Sequence, residues 1–214
     1  MKASIFAAAA SLALASAAPG SSKPSGDKNT CNGVQQLATF DDLTALPGAA
    51  ELTPVPNPYK GLNFKSWDVL QAGVAGQVPA GVLPQSGTQT AVTGVTNSVL
   101  TGGPAFIPSG GYKTLDLQSL YFGCVANTVT SVAGVPQQCT IAFTAYLPGS
   151  TVAYQTINQQ FDPTNAVRSN MVKATFPSTW IKMGRIDIAV VQSTTTSTLT
   201  GLLIDNVAYK VYPC

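Results

Sequence analysis

Apolar positions in this chain recur with a period of two. In Thr140-Ile141-Ala142-Phe143-Thr144-Ala145-Tyr146-Leu147 the residues Ile141, Phe143, Ala145 and Leu147 fall on one face, the alternation of a half-buried strand. Pro148-Gly149 ends that run, and Val152-Ala153-Tyr154-Gln155-Thr156-Ile157 follows as its hairpin partner. Residues 185–192 alternate Ile186, Ile188 and Val190 inward, and 202–212 read as a long closing strand. Earlier strands are expected over 37–43, 62–70, 106–107 and 114–122. No stretch of the chain beyond its leader carries a sustained helical period with caps. The pattern predicts an all-β protein, a sandwich of two antiparallel sheets in one domain over residues 31–214. The segment 71–111 is rich in Gly, Pro, Ser and Thr with Val at irregular intervals, and short edge strands joined by long loops fit it best. No fixed internal repeat suggests a solenoid. The Thr-rich run 193–198 reads as a loop or an exposed edge rather than a glycosylated stalk.

The first residues follow a different rule. Lys2 precedes an Ala-rich apolar stretch over 5–14, and Ala15-Ser16-Ala17 fits the small-x-small pattern of signal cleavage. Residues 1–17 are therefore expected to be a signal peptide, and 18–30, rich in Pro, Gly and Ser, a flexible leader. The apolar stretch is shorter than the roughly 20 residues needed to cross a bilayer, and no later segment fits a span. The last residues, Tyr209 to Cys214, lack the hydrophobic tail of a lipid-anchor signal. A secreted, extracellular protein without membrane attachment is the expectation.

Composition narrows the chemistry. Among 214 residues there are 11 Lys+Arg, 9 Asp+Glu and no His. Without His there is no Ser-His-Asp or Cys-His nucleophile pair and no imidazole zinc site. A net charge of +2, with no run of Lys or Arg, leaves no footprint for nucleic acid. Charged residues make up 9% of the chain, against roughly 25% in soluble domains, but 45% of residues are hydrophobic, enough for a core.

The four cysteines form an even set in a chain expected to reach an oxidising compartment. Of three possible pairings, Cys31–Cys214 with Cys124–Cys139 is preferred. The second bridge closes a short loop, worth roughly 3 kcal/mol in the chain-entropy model, and the first ties the start of the fold to its last residue, worth at most about 5 kcal/mol. No C-x-x-C is present to suggest a metal or redox role, and no N-x-Ser/Thr sequon provides for N-glycosylation.

Three sequence blocks carry a resemblance. Ala38-Thr39-Phe40-Asp41-Asp42-Leu43 opens the fold, Pro54-Val55-Pro56-Asn57-Pro58-Tyr59-Lys60-Gly61-Leu62-Asn63-Phe64 follows, and Leu203-Ile204-Asp205-Asn206-Val207 closes it. This order resembles secreted fungal and bacterial jelly-roll proteins of the galactose-binding-like superfamily, to which many carbohydrate-binding modules belong. The resemblance spans about 40–214 and is anchored at its two ends and in 141–147. The signal peptide and small size also look like a fungal cell-wall-associated or effector-type protein. In such modules an acidic residue near the first strand and an Asp on the last share a structural calcium ion, which implies Asp41 or Asp42 with Asp205 here. Converging carboxylates repel unless a cation offsets them, and Ca²⁺ accepts such oxygens. The simpler reading makes Asp41 and Asp42 solvated turn residues and has Asp205-Asn206 cap a bulge. No further acidic residue lies nearby in sequence to complete a shell.

Sugar binding needs an aromatic face and a few planar polar groups. Tyr59, Trp67, Tyr146 and Tyr154 are the candidate ligand-binding residues, with Asn57, Asn63, Gln155 and Asn158 as polar partners. Tyr146 and Tyr154 flank one hairpin and are expected to be exposed together. Trp67 and Trp180 read more simply as core residues, and Tyr59 as a lock on the Pro-rich loop. Three functions follow: a non-catalytic glycan binder at a fungal or host cell wall, a secreted effector or wall protein that binds a protein partner, and, third, a jelly-roll polysaccharide lyase. Glycosidase chemistry needs two placed carboxylates, and Glu51 is the only Glu. No catalytic residue is nominated, and a monomer is expected.

Overall fold

The structure is a computed structural model, and it describes residues 31–45, 52–71, 81–94, 103–126, 134–194 and 200–214. Residues 1–17 and 18–30, expected to be signal peptide and leader, lie outside the described residues, as do Glu51 and parts of the 71–111 and 193–198 segments. No helix longer than a turn, and none apolar and long enough to cross a membrane, occurs among them.

Among the described residues fourteen strands follow one another: β1 Val34–Ala38, β2 Thr53–Pro54, β3 Leu62–Lys65, β4 Asp68–Gln71 and β5 Val82–Leu83 come first. Next are β6 Gln89–Thr93, β7 Ala105–Pro108, β8 Thr114–Ala126, β9 Cys139–Tyr146 and β10 Ala153–Phe161. The chain ends with β11 Ser169–Asn170, β12 Val172–Thr175, β13 Arg185–Ser193 and β14 Thr200–Tyr212. They build a seven-stranded sheet in the order β12-β8-β14-β6-β4-β2, with β1 also on β14, and a five-stranded sheet in the order β10-β9-β13-β7-β3. A parallel pair, β5 with β11, stands apart. From β6 to β9 and again from β12 to β14 the chain alternates between the two large sheets, the winding of a jelly roll.

The alternation along β9 explains its place. Ile141, Phe143 and Ala145 are buried, while Thr140, Thr144 and Tyr146 between them are not, so one face meets the core and the other meets water. Phe64, Phe106, Trp67, Phe40 and Tyr209 fill the space between the sheets with ring centroids 5.2–6.5 Å apart.

Local backbone also decides the elements. The expected strand 62–70 is cut into β3 and β4 by Ser66, whose φ of 63° lies in the left-handed region and turns the chain from one sheet to the other. Within 71–111, β6 is no edge strand: it lies between β14 and β4 with all five residues buried. Both bridges, Cys31–Cys214 and Cys124–Cys139, are formed, and two disulfides are compatible with an extracellular protein.

Candidate functional site

After β1 the backbone turns at Phe40 (φ 61°), and the two acids that follow go to different partners. Asp42 accepts a hydrogen bond from the buried Tyr59 hydroxyl and pairs with Lys60 Nζ at 3.5 Å. The Tyr59 bond, with a smaller effect of Lys60, holds the Asp42 carboxyl below the usual range. Asp41 instead receives the backbone N–H groups of Thr88 (3.1 Å) and Gln89 (3.2 Å) and the Ser86 hydroxyl (3.1 Å). Gly87 has φ +49°, and a Cβ there would sit 2.0 Å from Asp41 Oδ1, so only glycine lets the loop close on that carboxylate.

Asp205 arrives from the far end of the chain. A bulge in β14, with Asn206 at φ 47°, leaves Asp205 fully buried, where its carboxylate accepts the N–H of Ser86 at 2.8 Å and of Asn206 at 2.7 Å. Burial pushes the Asp205 carboxyl up to about 6, the N–H bonds oppose that, and the charge of Asp41 adds to it.

Ser86 Oγ stands 2.8 Å from Asn206 Oδ1, 3.1 Å from Asp41 Oδ2 and 3.5 Å from Asp205 Oδ2. One hydroxyl proton is thus shared among three acceptor oxygens, while backbone N–H groups serve Asp41 Oδ1 and both oxygens of Asp205. Two carboxylates, an amide oxygen and a hydroxyl are the ligand chemistry that Ca²⁺ takes, so this donor set fits that ion, with further oxygens needed to fill its shell. Asp41 and Asp205 come together, Asp42 does not join them, and no group of three acidic, Cys or His ligands forms among the described residues. Sequence reasoning missed Ser86, which carries no periodic signal, and assigned Asn206 only to a bulge, the bulge that β14 makes there.

The candidate aromatics also separate. Trp67 is 2% exposed and stacks on Phe106, and Tyr59 is 6% exposed, so both belong to the core and neither ring offers a face to a ligand. The lock on the Pro-rich loop is the role that Tyr59 fills. Trp180 is buried as well and donates its N–H to Gln155 Oε1 at 2.7 Å. Tyr146 and Tyr154 lie on the neighbouring strands β9 and β10, Tyr154 with 47% of its surface exposed.

These two tyrosines begin a continuous outer face of the five-stranded sheet. Register places Tyr146 beside Arg185, Thr144 between Thr156 and Asp187, Ala142 between Asn158 and Ala189, and Thr140 between Gln160 and Gln192. Arg185 lies 4.1 Å from the Tyr146 ring centre and pairs with Asp187 at 2.8 Å, so the one cation and one anion here offset each other. Successive rows are about 7 Å apart, which makes the strip roughly 20 Å long. Its far end opens on a cavity of about 320 Å³ lined by Gln138, Cys139, Thr140, Gln160, Gln192, Ser193 and Thr194. Gln138 and Gln160 both donate to Asp162 Oδ1, while the Gln192 amide makes no hydrogen bond with another described residue. A second cavity of about 570 Å³ adjoins the first through Gln138 and Thr194.

Proton abstraction by a phenol requires a lowered pKa. Burial instead raises Tyr59 and Tyr209, and pushes Tyr212 up to about 12 with Asp116 adding to it. No protein-family model matches the chain, and no curated protein matches it.

Proposed function

We propose that this is a secreted, non-catalytic glycan-binding protein of the carbohydrate-binding jelly-roll kind, acting at a fungal or host cell wall. The observation that carries the reading is the outer face of β10, β9 and β13. It runs from Tyr154 and Tyr146 through Thr156, Thr144 and Asn158 to the glutamine-lined cavity. Aromatic edges, hydroxyls and planar amides are the groups that recognise sugar C–H faces and hydroxyls. Because Arg185 and Asp187 neutralise each other, the ligand class is a neutral polysaccharide rather than an acidic one. Secretion rests on the Ala-rich leader with its Ala15-Ser16-Ala17 site and on the two disulfides. A calcium ion held by Asp41, Ser86, Asp205 and Asn206 would brace the loop over 84–89 against β14, away from the glycan face.

The test is retention on chitin, β-glucan, cellulose, xylan and pectin. Retention on one neutral polymer, weakened by Tyr154→Ala and by Gln192→Ala, is expected, with pectin passing through. Passage through every polymer would sink the glycan reading and leave a protein partner in its place.

A further inference from the structure

Sheet edges carry unpaired N–H and C=O groups, and proteins blunt them with short strands, lysine, proline or bulges. Among the described residues, the outer strands follow that rule with one exception. β2 has two residues and ends in Pro54, while β3 and β12 have four each and carry Lys65 and Lys173. On β1 the Leu37 carbonyl is covered by Lys60 Nζ at 3.1 Å. Beyond a bulge at its very start, β10 has none of these guards. It is nine residues long, Ala-Tyr-Gln-Thr-Ile-Asn-Gln-Gln-Phe, without a charge or a proline, and it is exposed over most of its length. Its single irregularity, a register slip at Tyr154, sits at its start and leaves 155–161 regular. Among the described residues β10 pairs only with β9, so every second residue turns its backbone N–H and C=O outward with no backbone partner.

We propose that β10 is a dimerisation edge that pairs antiparallel with β10 of a second copy of this chain, about a two-fold axis at Ile157. The occupant is a second copy because the strand is its own complement. A two-fold at Ile157 sets Thr156 against Asn158, Gln155 against Gln159 and Tyr154 against Gln160, and no pair opposes like charges. A foreign extended segment is selected through pockets or charge, and the β10 edge offers no charge for that selection. Pairing joins the two five-stranded sheets into one continuous sheet. Side chains stand off the sheet faces rather than its edge, so Tyr154, Thr156 and Asn158 stay exposed in the dimer. Two glycan faces then share one surface and gain by avidity, although the dimer itself does not depend on glycan binding.

The test is sedimentation equilibrium of the full chain from micromolar to millimolar concentration without any polysaccharide. Wild type is expected to shift from the monomer mass toward twice that mass. Thr156→Lys combined with Asn158→Lys sets ammonium groups opposite one another across the axis and is expected to hold the protein at the monomer mass. Asn63→Lys, on the opposite edge strand β3, is expected to leave the shift unchanged. A wild type that stays monomeric throughout overturns the proposal. So does a dimer that survives the double variant, or one that Asn63→Lys also abolishes.

Discussion

The hydroxyl of Tyr59 donates to Asp42 and accepts the backbone N–H of Phe40, so one phenol ties both ends of the turn that leaves β1. Lys60 closes the arrangement from outside, with Nζ 5.3 Å from the Tyr59 ring centre and 3.1 Å from the Leu37 carbonyl. Tyr59→Phe keeps the ring in the core but removes both bonds and leaves the Phe40 N–H without its acceptor.

That variant is expected to lose about 1–3 kcal/mol of stability, the cost of an unsatisfied buried group. The pH dependence follows from Asp42. Its folded carboxyl lies below its ordinary value of 3.8, so its contribution is complete above that pH and is lost as pH falls through the folded value. Urea unfolding at about pH 7 and about pH 3 should therefore show a wider gap between wild type and variant at the higher pH. An equal gap at both would mean that Asp42 gains nothing from the phenol.

The two disulfides differ in access. Cys124 and Cys139 are buried, at 0% and 1% exposure, whereas Cys214 is exposed and Cys31 is half-buried with Lys182 Nζ 3.7 Å from its sulfur. Thiol exchange needs an approach to sulfur, so limited reduction followed by alkylation should label Cys31 and Cys214 first. Peptide mapping by mass checks this, and equal labelling of all four would contradict it. Replacing Cys124 and Cys139 together should cost about 3 kcal/mol, the closure entropy of a loop with separation 15.

What was legible in the sequence had one buried and one wet face. The alternation of Ile141, Phe143 and Ala145 with Thr140, Thr144 and Tyr146 marks β9, and from it the hairpin with β10 that carries the half-buried Tyr146 and the exposed Tyr154. β6 gave no such signal because every one of its five residues is buried, which erases a period of two. β5 and β11 are two residues each, too short for any pattern. The turn at Ser66 was hidden inside a mixed stretch, 62–70, that reads as one strand, and that turn is what carries Trp67 into the core rather than onto a ligand face. Asp41 and Asp205 were found through a resemblance at the two ends of the fold. Ser86, which sits between them, comes from a loop that only the fold brings there.

The oxygen cluster around Ser86 yields the last prediction. Two carboxylates converge there on one shared hydroxyl, so a cation that takes only oxygen ligands should bind there and stabilise the fold. A ligand at 100 times its Kd adds about 2.7 kcal/mol, and each kcal/mol moves the melting temperature of a domain this size by about 2–4 °C. Wild type in excess Ca²⁺ is therefore expected to melt several degrees above wild type in EDTA, by scanning fluorimetry. Asp205→Asn keeps an oxygen to accept one of the two N–H bonds and removes the buried negative charge. It should fold in EDTA and lose the calcium increment, which separates a lost ion from a lost fold. Asp42→Asn, whose carboxylate serves Tyr59 and Lys60 instead, should keep the increment in full. A wild type that melts at the same temperature in calcium and in EDTA would mean that the Ser86 hydroxyl and the backbone N–H groups hold Asp41 and Asp205 together unaided.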